Sequence, residues 1–191
     1  MTAVGFAGAV LAGGRSIRMG RDKALIEVAG VPMAGRVAAA LRDAGATEVV
    51  VVGGTAEARS GLGLRFVPDL FPGDGPLGGI LTALRAFGTG LVVIGACDLP
   101  RLDAATVRSL VDAIGDHDAA LARTDRLEPL CGVWRTEACL PALHAAFDDG
   151  ERAIHRAIAR LSVINVDVAG APLTNINTPA DLGTATLGPA Q

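Results

Sequence analysis

The chain has 191 residues, half of them apolar, with 20 Asp plus Glu against 17 Lys plus Arg and a net charge of −3. That size and apolar content support an ordinary hydrophobic core, so intrinsic disorder is excluded and folding requires neither a disulfide nor a structural metal. Near-neutral charge, no tyrosine and only 3% aromatic residues argue against a general nucleic-acid or acidic-membrane binder and against base-stacking platforms.

Residues 6–12 (FAGAVLA) form a short, uncharged run ending in glycines, which predicts a buried parallel strand. Over 32–44, Met33, Val37, Leu41 and Ala44 share one helical face, and Gly45 stands ready as the cap. Strands are predicted at 48–52, 64–67 and 91–97, with a helix over 77–87 between the last two. Asp103 reads as the N-cap of a helix carrying Val107, Leu110, Val111 and Ile114. Further strands are expected at 119–122, 130–134 and 163–168, with a helical stripe of Ile154, Ala157, Ile158 and Leu161 between the last two. Thr178-Pro179, with Asp181 after it, reads as the opening of a last helix. Strands alternating with helices imply an α/β fold with a mostly parallel sheet covered on both faces. No repeat, linker or internal boundary divides the chain, so one domain over 1–191 is expected.

Cys97, Cys131 and Cys139 are odd in number and match no zinc spacing, which suits a reducing compartment. The first residues lack the basic region of a signal peptide, and the apolar runs fall short of the roughly 20 residues of a spanning helix. The expected location is the cytoplasm.

Ligands of such sheets bind beyond the carboxyl ends of the strands, so polar residues just after strands are the candidates. The first such loop holds Gly13 and Gly14, then Arg15, Arg18, Arg21 and Lys23. Adjacent glycines let backbone N–H groups approach a ligand, and Arg15, Arg18 and Lys23 can neutralise a polyphosphate. The loop is not a Walker A sequence, and a solvated basic loop with turn glycines is the plain alternative.

LAGGRSIRMGRDKAL (residues 11–25) resembles the signature of the molybdenum cofactor guanylyltransferases, within the nucleotidyltransferases that share a Rossmann-like fold. The resemblance recurs in order at Val67-Pro68-Asp69, Pro72-Gly73-Asp74-Gly75-Pro76-Leu77-Gly78-Gly79, Cys97-Asp98-Leu99-Pro100, Gly150-Glu151-Arg152 and Asn175-Ile176-Asn177-Thr178-Pro179-Ala180-Asp181-Leu182. It implies transfer of GMP from GTP to the phosphate of molybdenum-molybdopterin. It also implies a nucleotide site that includes Leu11, Ala12, Gly13, Gly14, Lys23 and Asp69. A molybdenum insertase and apo-molybdoenzymes become possible transient partners.

Asp98 closes an apolar strand and is placed to hold Mg²⁺, which typically takes one or two carboxylates together with phosphate oxygens and water. A turn role before Pro100 is its plain alternative. In the resembled family the matching Asp binds Mg²⁺ and contacts the nucleotide, so Asp98 joins Arg15 and Lys23 as the expected catalytic set. A carboxylate at Asp69 can accept hydrogen bonds from guanine N1–H and its amino group together, a pair cytosine lacks. The Asn175 and Asn177 block implies a place beside the pterin-side substrate and metal, though turn formation ahead of Thr178 also accounts for it. Glu128 and Arg152 fall at positions resembling the acceptor side, with Arg152 expected at the pterin's phosphate. Cys97 reads as packing, and His117, His144 and His155 as ordinary residues.

Two features pull elsewhere. Gly73-x-Gly75-x-x-Gly78 matches the dinucleotide fingerprint and makes a nicotinamide-dependent oxidoreductase a runner-up, although Pro68, Pro72 and Pro76 interrupt the context that motif needs. Guanylyl-transferring members carry an Asn after the second strand, where this chain has Val52-Gly53-Gly54. Gly13 favours the guanylyl branch over cytidylyl relatives, which tend to have alanine there. A cytidylyltransferase, another nucleotidyltransferase and a non-catalytic nucleotide-binding regulator remain alternatives.

Overall fold

The computed structural model describes residues 5–13, 22–176 and 181. The first apolar run is strand β1 (Phe6–Leu11). Successive side chains of a strand point to opposite faces, so Val10 joins a core with Val37 and Leu41 while Ala9 joins one with Ile80 and Leu84. A two-residue hairpin follows, β2 (Glu27–Val28) and β3 (Val31–Pro32). Helix α1 (Met33–Asp43) buries Met33, Val37 and Leu41, the stripe its spacing predicts, and Ala44 is partly buried beyond its end. Gly45 stops it at φ 107°, where the amides of Ala46 and Gly45 reach back to the carbonyls of Leu41 and Arg42 at 3.1 and 2.9 Å.

Strand β4 (Val49–Val52), the one-turn helix α2 (Ala56–Arg59) and strand β5 (Arg65–Val67) lead to α3 (Gly75–Phe87), β6 (Leu91–Ala96) and α4 (Ala104–Ala113). Asp103 caps α4 by accepting a hydrogen bond from the Thr106 amide at 2.7 Å, as its position predicts. The chain continues through β7 (Ala119–Arg123), β8 (Leu127–Arg135), α5 (Thr136–Asp148), the short helix α6 (Ile154–Ala157) and β9 (Val163–Asp167). Helix α5 has no counterpart among the predicted elements. The helix expected from Thr178-Pro179 lies outside the described residues, except Asp181, which is helical.

Seven strands form one sheet in the order β5-β4-β1-β6-β8-β7-β9. Neighbours run parallel except at β8, which is antiparallel to both β6 and β7. Only residues 124–126 separate β7 from β8, far fewer than the dozen or so that a parallel crossover requires, so the chain must turn straight back. Helices α1 and α4 cover one face of the sheet and α3 and α5 the other.

From β1 the sheet grows outward through β4 to β5, then β6 returns to the opposite flank of β1. Strand order therefore reverses between β1 and β6. The carboxyl ends of β1, β4, β5 and β6 share one edge of the sheet there, the place where open α/β sheets bind ligands.

Candidate active site

Backbone hydrogen bonds fix the loops at this edge. The Ala12 amide donates to Val52 (2.8 Å), Gly53 to Val67 (3.0 Å) and Cys97 to Leu11 (3.0 Å). Leu11 and Ala12 thus leave the sheet along a set path and deliver an exposed Gly13. Gly14, Arg15 and Arg18 of the expected phosphate loop lie outside the described residues.

Asp22 caps a 3₁₀ turn, Lys23–Leu25, by accepting from the Ala24 amide at 3.1 Å. That turn directs Lys23 toward the loop after β6, where Nζ donates to Asp98 Oδ2 at 3.0 Å. Their side chains keep 16% and 27% exposure, so both are sheltered yet open to a ligand. The Asp98 carbonyl accepts from the Ile176 amide at 3.0 Å. Ile176 is buried with Val28 and Met33, which brings the half-buried Asn175 to the same corner. Asn177 lies outside the described residues.

Asp69 follows β5 and is held by its Oδ1, which accepts from the Phe71 amide at 2.9 Å and lies 3.2 Å from the Thr82 hydroxyl. Thr82 also accepts from the Leu70 amide at 3.2 Å and shares its single proton between Asp69 and the Gly78 carbonyl, 2.9 Å away. Oδ2 is turned toward Gly13, from whose would-be Cβ it stands 3.4 Å. Leu11, Ala12, Gly13, Lys23, Asp69, Asp98 and Asn175 thus gather at one edge.

The glycines that replace the expected Asn have a packing cause. Gly53 and Gly54 both adopt φ 85°, and a Cβ on Gly53 would come 2.6 Å from the Gly13 Cα. A Cβ on Gly54 would overlap the Arg59 guanidinium. A side chain at 53 would collide with backbone, and one at 54 would require the Arg59 guanidinium to move, so at these two positions the chain offers the site its main chain.

Other expected positions are engaged elsewhere. Arg152 Nε pairs with Asp74 at 2.9 Å, and its guanidinium lies 3.7 Å above the Phe147 ring, tying the loop after α5 to the glycine-rich loop. Glu128 pairs with Arg126 at 2.8 Å. Burial, reinforced by the Asp98 charge, pushes the Cys97 thiol up to about 12, which suits packing and opposes nucleophilic use. His117 contacts Ser162 and His144 pairs with Asp148. Residues 68–74 separate β5 from α3, so the glycine-rich loop lacks the direct strand-to-helix passage of a dinucleotide fingerprint.

Sequence reasoning missed Thr82 and Arg59. Thr82 lies inside an apolar helix, and only its contacts with Leu70 and Asp69 show its part in the loop after β5. Arg59 follows no strand and belongs to no motif, yet its side chain is 1% exposed.

Residues 8–164 match the family of MobA-like NTP transferase domains. A probable molybdenum cofactor guanylyltransferase of Pelotomaculum thermopropionicum is 37% identical over 189 residues, covering 92% of this chain and 89% of the relative. The molybdenum cofactor guanylyltransferase of Rhodobacter capsulatus is 36% identical, with 94% of each chain covered. Among solved structures, molybdopterin-guanine dinucleotide biosynthesis protein A of Archaeoglobus fulgidus superposes with a TM-score of 0.77 at 28% identity, covering 94% of this chain and 96% of that one.

Proposed function

This chain belongs to the family of MobA-like NTP transferase domains, and from that premise we propose that it transfers GMP from GTP to the phosphate of molybdenum-molybdopterin. The observation that carries the reading is the Lys23–Asp98 contact at the strand reversal, with Gly13 and Asp69 beside it. An acceptor phosphate oxygen attacks the α-phosphorus of GTP, a new P–O bond forms, and the bond to the β-phosphate oxygen breaks to release pyrophosphate. The product is the guanine dinucleotide cofactor. Both reactants are anionic, so the protein's work is to offset repulsion and to align the attacking and leaving oxygens.

Lys23 and Arg15 neutralise the phosphates, Gly13 and Gly14 admit them close to the backbone, and Asp69 Oδ2 receives the guanine edge. Leu11 and Ala12 form the floor of the nucleotide site. Asn175 and Asn177 serve the acceptor side. Among the described residues no group of three or more His, Cys, Asp or Glu side chains comes together; a divalent ion here would be held by Asp98, the carboxylate that follows β6 beside Lys23. Such a sparse donor set fits Mg²⁺, which retains water and takes phosphate oxygens of its substrate. Bound there, Mg²⁺ supplies charge neutralisation to the triphosphate. Among the described residues no helix is long and apolar enough to cross a membrane. We place the enzyme in the cytoplasm, where a molybdenum insertase and apo-molybdoenzymes would supply and receive the cofactor.

The test is product analysis with molybdenum-molybdopterin and GTP, CTP, ATP or UTP, each with and without Mg²⁺. Mg²⁺-dependent formation of the guanine dinucleotide supports the proposal. Preference for CTP would make the chain a cytidylyltransferase instead, and no transfer from any nucleotide would overturn the reading.

A further inference from the structure

We propose that Arg59 is a positioning residue that locks the nucleotide-side loops to the turn carrying Lys23, an inference that rests on the transferase reading above. A guanidinium almost fully removed from water persists only where its charge and its donors are met. Each edge of Arg59 is met by a different segment. Nε donates to the Gly53 carbonyl after β4 at 3.1 Å, Nη2 to the Ala12 carbonyl after β1 at 2.7 Å, and Nη1 to Asp22 Oδ2 at 2.8 Å. Asp22 divides its carboxylate, giving Oδ2 to Arg59 and Oδ1 to the Ala24 amide that starts the Lys23 turn. A continuous polar path therefore runs from the carbonyls beside Gly13 and Gly53, through Arg59 and Asp22, to Lys23 and Asp98.

A purely local role for Arg59 does not account for these bonds. Its helix α2 is closed by other groups: Thr55 Oγ1 accepts from the Ala58 amide at 3.2 Å, and Ser60 Oγ donates to the Glu57 carbonyl at 2.8 Å. Instead the guanidinium occupies the space that a side chain at position 54 would fill, so Gly54 and Arg59 act as a pair. Lysine has the charge and three donors, but all on one nitrogen, and so lacks the separate Nε, Nη1 and Nη2 that meet the three segments here. Loss of the fork frees the Lys23 turn to shift, and a misplacement of about 1 Å at a charge-neutralising group costs rate more than substrate affinity.

The experiment compares Arg59→Lys, Asp22→Asn and the double variant with wild type. Asparagine at 22 keeps an oxygen for the Ala24 amide and sets an uncharged NH2 group, which cannot accept, where Oδ2 meets Arg59. Each single variant is expected to lower kcat for GMP transfer by roughly ten- to a hundredfold, with KM for GTP moved less than about threefold. The double variant should lose no more than the worse single, because both changes break one linkage. Backbone amide exchange at residues 24–26, read without any substrate, should quicken in all three. Wild-type kcat in the folded Asp22→Asn protein, losses that multiply in the double, or unaltered exchange would each overturn the proposal. If Arg59→Lys does not fold, Asp22→Asn decides alone on kcat and exchange. A wild-type protein that transfers no nucleotide refutes the transferase reading, while the exchange measurement still decides whether Arg59 holds the turn.

Discussion

Gly53 stands against Gly13 so closely that a Cβ on Gly53 would lie 2.6 Å from the Gly13 Cα and 2.8 Å from its nitrogen. The two loops are therefore packed backbone to backbone, and neither atom is the yielding end of a side chain. Gly53→Ala adds this collision to an unfavourable φ of 85°, and about 2–4 kcal/mol of stability should be lost in urea unfolding. Gly13→Ala is the contrasting case, since its Cβ would meet Asp69 Oδ2 at an ordinary 3.4 Å. That variant should keep its stability within about 0.5 kcal/mol while losing stabilisation by GTP relative to CTP. Equal stability of the two variants would contradict the packing described.

The Lys23–Asp98 pair is partly exposed, so its net contribution to folding should be at most about 1 kcal/mol. Its value lies in the charge presented to phosphates. Asp98→Asn and Lys23→Met should each cut GMP transfer on the order of a hundred- to a thousandfold while the thermal midpoint changes little. Raising Mg²⁺ should not restore Asp98→Asn. Wild-type turnover in either folded variant would remove that residue from the proposed machinery.

Much of this architecture was legible because burial leaves a period in the sequence. Strand β6 is uniformly apolar since it is covered on both faces, and α1 shows its stripe because only one side meets the sheet. Helix α5 was hidden by Pro141 inside it, which weighs against a helix, although Cys139, Leu143, Ala146 and Phe147 bury a common face. The β2–β3 hairpin was hidden by Ala29, which takes the left-handed φ of 52° where Asn or Asp usually signals such a turn. At the candidate site, residues that follow strands were visible, namely Gly13, Asp69 and Asp98. Arg59 was not, because its role depends on a glycine five positions earlier and on carbonyls from two other loops, which no linear pattern encodes.

All three cysteines are buried, and burial pushes Cys131 and Cys139 up to about 12. At pH 8 such a thiol stays protonated, and the thiolate is the reactive form. Thiol reagents should therefore label none of the three in the native protein and all of them after denaturation. Rapid loss of activity on alkylation of the native protein would instead place a thiol at the site.

Glu151 gives the fold a defined acid dependence. Hydrogen bonds from Arg156, then from the Ala153 amide at 2.7 Å, hold its carboxyl down at about 2 rather than 4.5. A depressed carboxyl stabilises the fold when ionised, so the contribution is present above about pH 4.5 and is lost as pH falls through about 2. Wild type should therefore melt above Glu151→Gln at pH 7, and the gap should close between pH 4.5 and 2. Added salt should narrow the gap at pH 7, because the Arg156 partner lies at the surface where ions screen it. The same loop carries Arg152 to Asp74, so Glu151→Gln should also loosen that contact with the glycine-rich loop and speed amide exchange there. A gap that persists unchanged at pH 2 would show that Glu151 stabilises the loop by shape alone, without its charge.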